Sequence, residues 1–196
     1  MVEAAFQRIV QRRGVRLGSF GSKNHSQGPL VIQSPRIGFL NLLGASAEPI
    51  LKEDKAAIGP LFASLQESGA DPPGFDVLMI YADVQVDGSI ARCSVGLRDI
   101  IRKANAPIVI VASENDAKGY IAAGKPTGYG QANLVMTLQR KGANFSQFFV
   151  QLFSEMFRGR PIPMAWVKLA PHGSKTGHDN CPETIFAAEV SHITFK

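Results

Sequence analysis

The 196-residue sequence contains only two cysteines, Cys93 and Cys181, and a single tryptophan. Two cysteines in separate predicted loops give no disulfide framework of the kind that small secreted domains depend on, so we expect reduced thiols. No apolar run approaches the roughly 20 residues that a membrane-spanning helix needs, and the first residues lack the apolar core and cleavage site of a secretory signal. The sequence therefore predicts a cytoplasmic protein without a membrane span.

Signatures of phosphate binding are also missing. The glycine-rich segment GKPTGYGQ, residues 124–131, lacks the Walker arrangement and the strand-to-helix context of a dinucleotide fingerprint. We therefore predict no cofactor.

Positive charge is concentrated at the start of the chain. The formal net charge is +5, and residues 1–28 carry a single acid, Glu3. We interpret this segment as a basic N-terminal helix and a flexible loop, which is a solvated tail, a targeting segment or a contact for a membrane surface, nucleic acid or an acidic partner. The nucleic-acid alternative is the weaker because no basic run is interleaved with aromatics. The cations of this leader are Arg8, Arg12, Arg13, Arg16 and Lys23.

Residues 29–196 alternate short apolar runs with helical patterns. Runs that are apolar on nearly every residue predict strands buried on both faces, and alternation with helices predicts a parallel sheet. We therefore predict one α/β domain, a three-layer sandwich with a mostly parallel central sheet and a C-terminal edge strand. Predicted strands are 29–33, 36–43, 75–82, 132–138 and 184–195, together with the central run 108–111 of the stretch 107–116. Predicted helices start at Glu48 (with a core stripe to Leu65 that Gly59 and Pro60 could divide in two), Ser94, Phe145 and Met164.

Polar residues follow the central predicted strand at once. The run from Ile108 to Val111 breaks into Ser113 and Glu114, and Asp83 follows the preceding predicted strand. Because ligands of open α/β sheets bind at the carboxyl ends of the strands, Ser113, Asp83 and Glu114 are candidate catalytic residues, a hydroxyl nucleophile with carboxylate bases. The alternative is that these residues satisfy free N–H groups where the strand ends.

Histidine and cysteine cluster in one place only. The loop PHGSKTGHDNCPET, residues 171–184, holds His172, His178 and Cys181. This set could supply a Cys-His pair or ligate zinc, and the alternative is an ordinary surface loop. A second tempting pattern, the phenylalanine stripe in residues 145–157, is predicted to be core.

With these elements placed, residues from about 38 to 170 resemble the caspase-like CHAT domain of the caspase-hemoglobinase superfamily. The segment IVASEN, residues 110–115, stands where that family has a strand ending in an Ala-Cys-Glu-type turn, and residues 75–82 stand where it has the histidine-bearing strand. ANLVMTLQRKG followed by FSQFFVQLFSEMFRGRPIPMAW is similar to the family's penultimate strand and its helix. The resemblance implies a caspase-like fold.

The same resemblance shows two departures. Ser113 stands where it implies the nucleophilic cysteine, and Tyr81, Ala82 and Asp83 stand where it implies the histidine-glycine pair. A serine hydroxyl depends on a neighbouring base even more than a thiol does. We therefore expect a degenerate, non-catalytic module that acts in protein binding or regulation.

Other functions stay open at this point. The first alternative is a hydrolase, a peptidase or esterase, that uses Ser113 with Asp83, or Cys181 with His172 or His178. The next is nucleic-acid or acidic-partner binding through residues 1–28. A homodimer through the edge strand or the N-terminal helix is a further expectation.

Overall fold

Two strands that are buried along their whole length dictate the architecture. Val77–Tyr81 and Ile108–Ser113 have every residue buried, so helices must cover both faces of their sheet. A computed structural model describes residues 30–67, 74–113, 115, 134–139, 145–169, 184–188 and 192–196.

The described residues form eight strands and four helices. The strands are β1 Leu30–Ile32, β2 Arg36–Asn41, β3 Ser64–Glu67, β4 Val77–Tyr81, β5 Ile108–Ser113, β6 Leu134–Gln139, β7 Thr184–Ala188 and β8 Ile193–Phe195. The helices are α1 Glu48–Ile58, α2 Leu97–Ala104, α3 Phe145–Phe157 and α4 Ile162–Leu169, with 3-10 turns at Ala45–Ala47 and Gly59–Leu61 on either side of α1.

Six strands form one sheet in the order β3-β2-β4-β5-β6-β7. All neighbours in it are parallel except β7, which runs antiparallel to β6 at the edge. The predicted α/β fold with a mostly parallel sheet and a C-terminal edge strand is thereby confirmed. The edge strand is shorter than predicted, because β8 pairs with β1 in a separate two-stranded sheet and packs Phe195 against Phe153 and Phe157.

Alternation along the strands divides the core into two layers. Side chains of successive strand residues point to opposite faces, so each buried strand feeds both layers. One layer packs under α1, α3 and α4 and includes Phe39, Met79, Tyr81, Ile110 and Ala112. The other packs under α2 and includes Leu40, Leu78, Ile80, Val109 and Val111.

The phenylalanine stripe of α3 is core, as its spacing predicts. Phe145, Phe149 and Phe153 are fully buried, and adjacent rings of the stripe lie 4.9 to 5.7 Å apart in tilted or edge-on arrangements. Burial of each such ring contributes on the order of 2 to 3 kcal/mol. The stripe therefore fixes α3 on the sheet and is not a cofactor site.

One predicted boundary is wrong. The sequence places Leu65 in the core stripe of α1, whereas its backbone lies in β3. Pro60 lacks an N–H donor and ends the regular helix in a 3-10 turn, after which Phe62 is extended at φ −108° and ψ 152°. The extended chain then pairs with the free side of β2.

The basic leader, residues 1–28, lies outside the described residues. Among the described helices none is long and apolar enough to cross a membrane.

Gly38 in β2 is required by a close approach. A Cβ atom there would lie 2.6 Å from the ring carbons of Phe75, which packs in the α2 layer. Real Cβ contacts are longer, so a side chain at this position must displace a buried ring.

We predict that Gly38→Ala lowers the free energy of unfolding by about 1 to 3 kcal/mol, because the added methyl overpacks the ring of Phe75. The measurement is urea denaturation. Gly96→Ala is the matched control, since φ is −77° there and the new Cβ would lie 3.5 Å from its nearest neighbour. Equal losses in both variants would contradict the packing argument, and Phe75→Leu should rescue Gly38→Ala.

Candidate functional site

The chain leaves β4 through a tight hairpin in which one buried residue, Val84, has backbone groups that form no hydrogen bond within the hairpin. Val84 forms an antiparallel bridge with Ile90, and the hairpin hydrogen bonds run from Gln85 N to Ser89 O at 2.9 Å and from Ala91 N to Asp83 O at 3.1 Å. In this pattern the N–H and C=O of Val84 face away from the hairpin. Val84 is only 1% exposed, so both groups need partners from the protein.

Ser113 and Asn115 supply those partners from the end of β5. Ser113 Oγ accepts hydrogen bonds from Val84 N at 3.4 Å and from Asn115 N at 3.2 Å. The Asn115 amide Nδ2 donates to Val84 O at 2.8 Å, the shortest of the three contacts. The two side chains thus extend the pairing of β4 with β5 beyond the last backbone pair. We call this arrangement the Val84 brace, formed by Val84, Ser113 and Asn115.

The Val84 brace has the geometry of a structural contact. Ser113 is 1% exposed, and its oxygen is the acceptor in both hydrogen bonds. Asp83 immediately precedes Val84, so the sequence correctly brings it to the same edge, yet no hydrogen bond joins the Asp83 and Ser113 side chains. A serine nucleophile needs an accessible oxygen that donates its proton to a base. Glu114, the third candidate here, lies outside the described residues.

Tyr81 is the first of three residues, with Ala82 and Asp83, that stand where the resemblance implies the histidine-glycine pair. Its hydroxyl donates to Asp54 Oδ2 at 2.9 Å, and both residues are 1% exposed. Tyr81 and Ala112 are register partners that face α1 and α3, whereas Ser113, the next residue of β5, faces the α2 layer. The Tyr81 and Ser113 hydroxyls therefore belong to opposite faces of the sheet and form no dyad.

Asp54 is a buried polar residue that the sequence analysis missed. A signal exists in the sequence, because Asp54 lies three residues after Leu51 and four before Ile58, on the apolar stripe of α1. A carboxylate at a stripe position predicts a buried polar partner. Tyr81 is that partner.

A shallow groove of about 380 Å³ opens at the carboxyl end of β2. It lies where the chain order of the sheet reverses, since β3 and β4 flank β2 on opposite sides, and ligands of open α/β sheets bind at such points. Asn41 shapes its rim by donating to Gly44 O at 3.1 Å and Glu48 Oε1 at 3.0 Å. The described residues that line the groove are Phe39, Asn41, Gly44, Ala45, Glu48, Leu51 and Lys55.

The alternative site residues His172, His178 and Cys181 lie outside the described residues. In the part of the chain that the structure describes, no three His, Cys, Asp or Glu side chains form a group that could hold a metal ion. Cys93 is a half-buried free cysteine.

No protein-family model matches the chain, and no curated protein is significantly similar to it.

A second cluster of charge lies where α3 meets α4. Gly159, at φ +81°, lets the chain turn so that Gly159 N donates to Met156 O at 2.9 Å and Arg160 N to Glu155 O at 3.0 Å, a Schellman motif. The Glu155 carboxylate, 4% exposed, is bound by Arg158 at 2.8 Å, Arg160 at 2.7 Å and Lys168 at 2.8 Å. We call these four residues, Glu155, Arg158, Arg160 and Lys168, the charged corner.

The charged corner keeps Glu155 ionised. Hydrogen bonds from Lys168, then Arg160 and Arg158, lower the pKa of Glu155 from 4.5 to about 2, although burial of the carboxylate opposes this shift. A lowered pKa in the folded state contributes stability that is complete above the unfolded value of about 4.5 and is lost as pH falls toward 2.

We predict that Glu155→Gln lowers the melting temperature at pH 7 and flattens its decline between pH 5 and 2, because the neutral amide has no proton to gain. The measurement is thermal unfolding across that pH range. Asp99→Asn is the matched control, since its ion pair with Arg102 is exposed on both sides and contributes little. An acid dependence in Glu155→Gln as steep as in the wild type would contradict the assignment.

Proposed function

We propose that this protein is a degenerate caspase-like, CHAT-like module of the cytoplasm that binds or regulates another protein and catalyses no hydrolysis through Ser113. The proposal rests mainly on the Val84 brace. Ser113 Oγ is buried and accepts two backbone N–H groups, so its lone pairs are used to satisfy the fold. A hydroxyl held in this way serves the structure as an acceptor.

The arrangement of β4 and β5 supports the caspase-like part of the proposal. They are adjacent parallel strands in which Tyr81 pairs with Ala112, so the two positions at which the resemblance implies a histidine and a cysteine end neighbouring strands at one edge. This is the placement that a dyad on successive strands requires. Tyr81, Ala82 and Asp83 include no histidine, and Ser113 stands in place of the cysteine, which supports a module that has kept the scaffold and lost the chemistry.

The groove at the end of β2 supports binding. Phe39 and Leu51 provide a buried apolar floor, while Glu48 and Lys55 add groups of opposite charge at its rim. Apolar floors with a few placed polar groups are typical of binding sites.

The proposal is tested by activity-based labelling of the folded full chain. We expect a fluorophosphonate probe to leave Ser113 unlabelled, because its oxygen is buried and accepts two backbone N–H groups. We expect iodoacetamide to label Cys181 no faster in the folded chain than in urea-unfolded chain, where both cysteines are ordinary exposed thiols. An active serine hydrolase is the control that shows the fluorophosphonate probe to be reactive, because that probe labels only an activated serine.

Two results would contradict the proposal. One is stoichiometric fluorophosphonate labelling of Ser113 with peptidase or esterase activity that Ser113→Ala and Asp83→Asn abolish. The other is selective labelling of Cys181 that His172→Ala or His178→Ala suppresses, together with loss of a measured hydrolysis. Either result would establish the hydrolase alternative.

A further inference from the structure

The charged corner holds more positive charge than its own acid neutralises. Glu155 is the only acidic residue between Phe145 and Leu169. Three cations bind this single carboxylate, and Arg158, Arg160 and Lys168 form no other ion pair with the described residues. Two positive charges are therefore uncompensated on this surface.

The cations are arranged with hydrogen-bond donors left over. Arg158 contacts Glu155 through Nη1 and Arg160 through Nε, so each guanidinium keeps further N–H groups without a partner in the described part of the chain. The side chains of Arg158, Arg160 and Lys168 are 72%, 41% and 49% exposed. Because Glu155 already holds all three side chains in place, binding an anion here costs little additional side-chain conformational entropy.

The surrounding backbone adds to the positive field. The Schellman motif uses the carbonyls of Glu155 and Met156 as hydrogen-bond acceptors, which reduces the partial negative charge at the carboxyl end of α3. Helix α4 begins at Ile162, two residues after Arg160, and its amino end is positive. Arg158 and Arg160 thus lie between the carboxyl end of α3 and the amino end of α4, and Lys168 reaches Glu155 from the last turn of α4.

We infer that the charged corner binds an acidic segment of a partner protein, one rich in Asp and Glu side chains. This inference rests on the proposed binding role and names the chemistry of the partner. Guanidinium groups match carboxylates in a planar, paired geometry, and two or three of them close together fit neighbouring acidic side chains.

The size and composition of the surface favour a protein partner over nucleic acid. Nucleic-acid sites use an extended basic track with exposed aromatic rings for stacking. Here the cations converge on one carboxylate, and the nearby rings are turned inward. Trp166 is buried, and Phe157 packs against Phe62 and Phe195.

The test is fluorescence anisotropy of the full chain with a fluorescein-labelled octapeptide of alternating Asp and Glu. We expect Arg158→Gln to raise the dissociation constant about fivefold or more, because it removes one of the three exposed cations. Arg102→Gln is the matched control, since Arg102 is also an exposed arginine in an i,i+3 pair at 2.8 Å and lies on α2. It should change the dissociation constant less than twofold.

Further measurements separate charge from structure. Arg158→Lys should keep most of the affinity, Lys168→Gln should lose affinity like Arg158→Gln, and wild-type affinity should fall as salt screens the charges. The melting temperature of Arg102→Gln should be close to the wild type, because its ion pair is exposed on both sides. Arg158→Gln should lower the melting temperature modestly, because the buried Glu155 carboxylate keeps two of its three cations, and its binding is therefore measured at a temperature where circular dichroism shows the variant folded.

Three outcomes would overturn the inference. They are equal binding of the matching Asn/Gln octapeptide, equal losses in Arg158→Gln and Arg102→Gln, and tighter Arg158-dependent binding of a single-stranded RNA or of phosphatidylserine vesicles than of the acidic peptide. None of these bears on labelling of Ser113, so a failure here and a failure of the proposed function are distinguishable.

Discussion

The buried backbone of Val84 requires hydrogen-bond partners, and the end of the central strand β5 supplies them. The N–H and C=O of Val84 cannot reach water, and the hairpin that contains it uses the hydrogen-bonding groups of its neighbours. Unpaired groups at such a position would destabilise the fold by about as much as a lost hydrogen bond each. Ser113 and Asn115 meet this requirement together, which explains why short polar side chains follow five buried apolar residues of β5.

Among the described residues, the same requirement gives Ser113 a structural role at an edge where ligands of parallel sheets usually bind. Parallel strands place their carboxyl ends together, and β4 with β5 offers two adjacent positions there. One holds Ser113 as an acceptor and the other holds Tyr81, bound to Asp54 on the opposite face. The surfaces that we propose for recognition are the groove at β2 and the charged corner. Scaffold and chemistry are separable in such folds.

The sequence predicts the elements better than it predicts the site. Continuous β-branched runs indicate β4 and β5, and the phenylalanine spacing indicates α3, because burial on two faces or on one stripe leaves a periodic signal. The strand β3 has no such signal. Its four residues, Ser64–Glu67, form a strand because they pair with the free side of β2. The Val84 brace joins residues that are separated by 29 and 31 positions in the sequence. The charged corner depends on the turn between two helices. Contacts of this kind follow from packing and are not visible in local patterns.

The most direct measurement of the Val84 brace is amide hydrogen exchange of the folded protein, followed by NMR for individual residues. The structural role of Ser113 predicts that the Val84 amide exchanges as slowly as the amides inside β4 and β5, far more slowly than that of Val86, which is 77% exposed at the hairpin tip. In Ser113→Ala the Val84 amide should become faster while those inside β4 stay slow. Exchange of Val84 at the rate of Val86 in the wild type would contradict the account and would return Ser113 to consideration as a nucleophile.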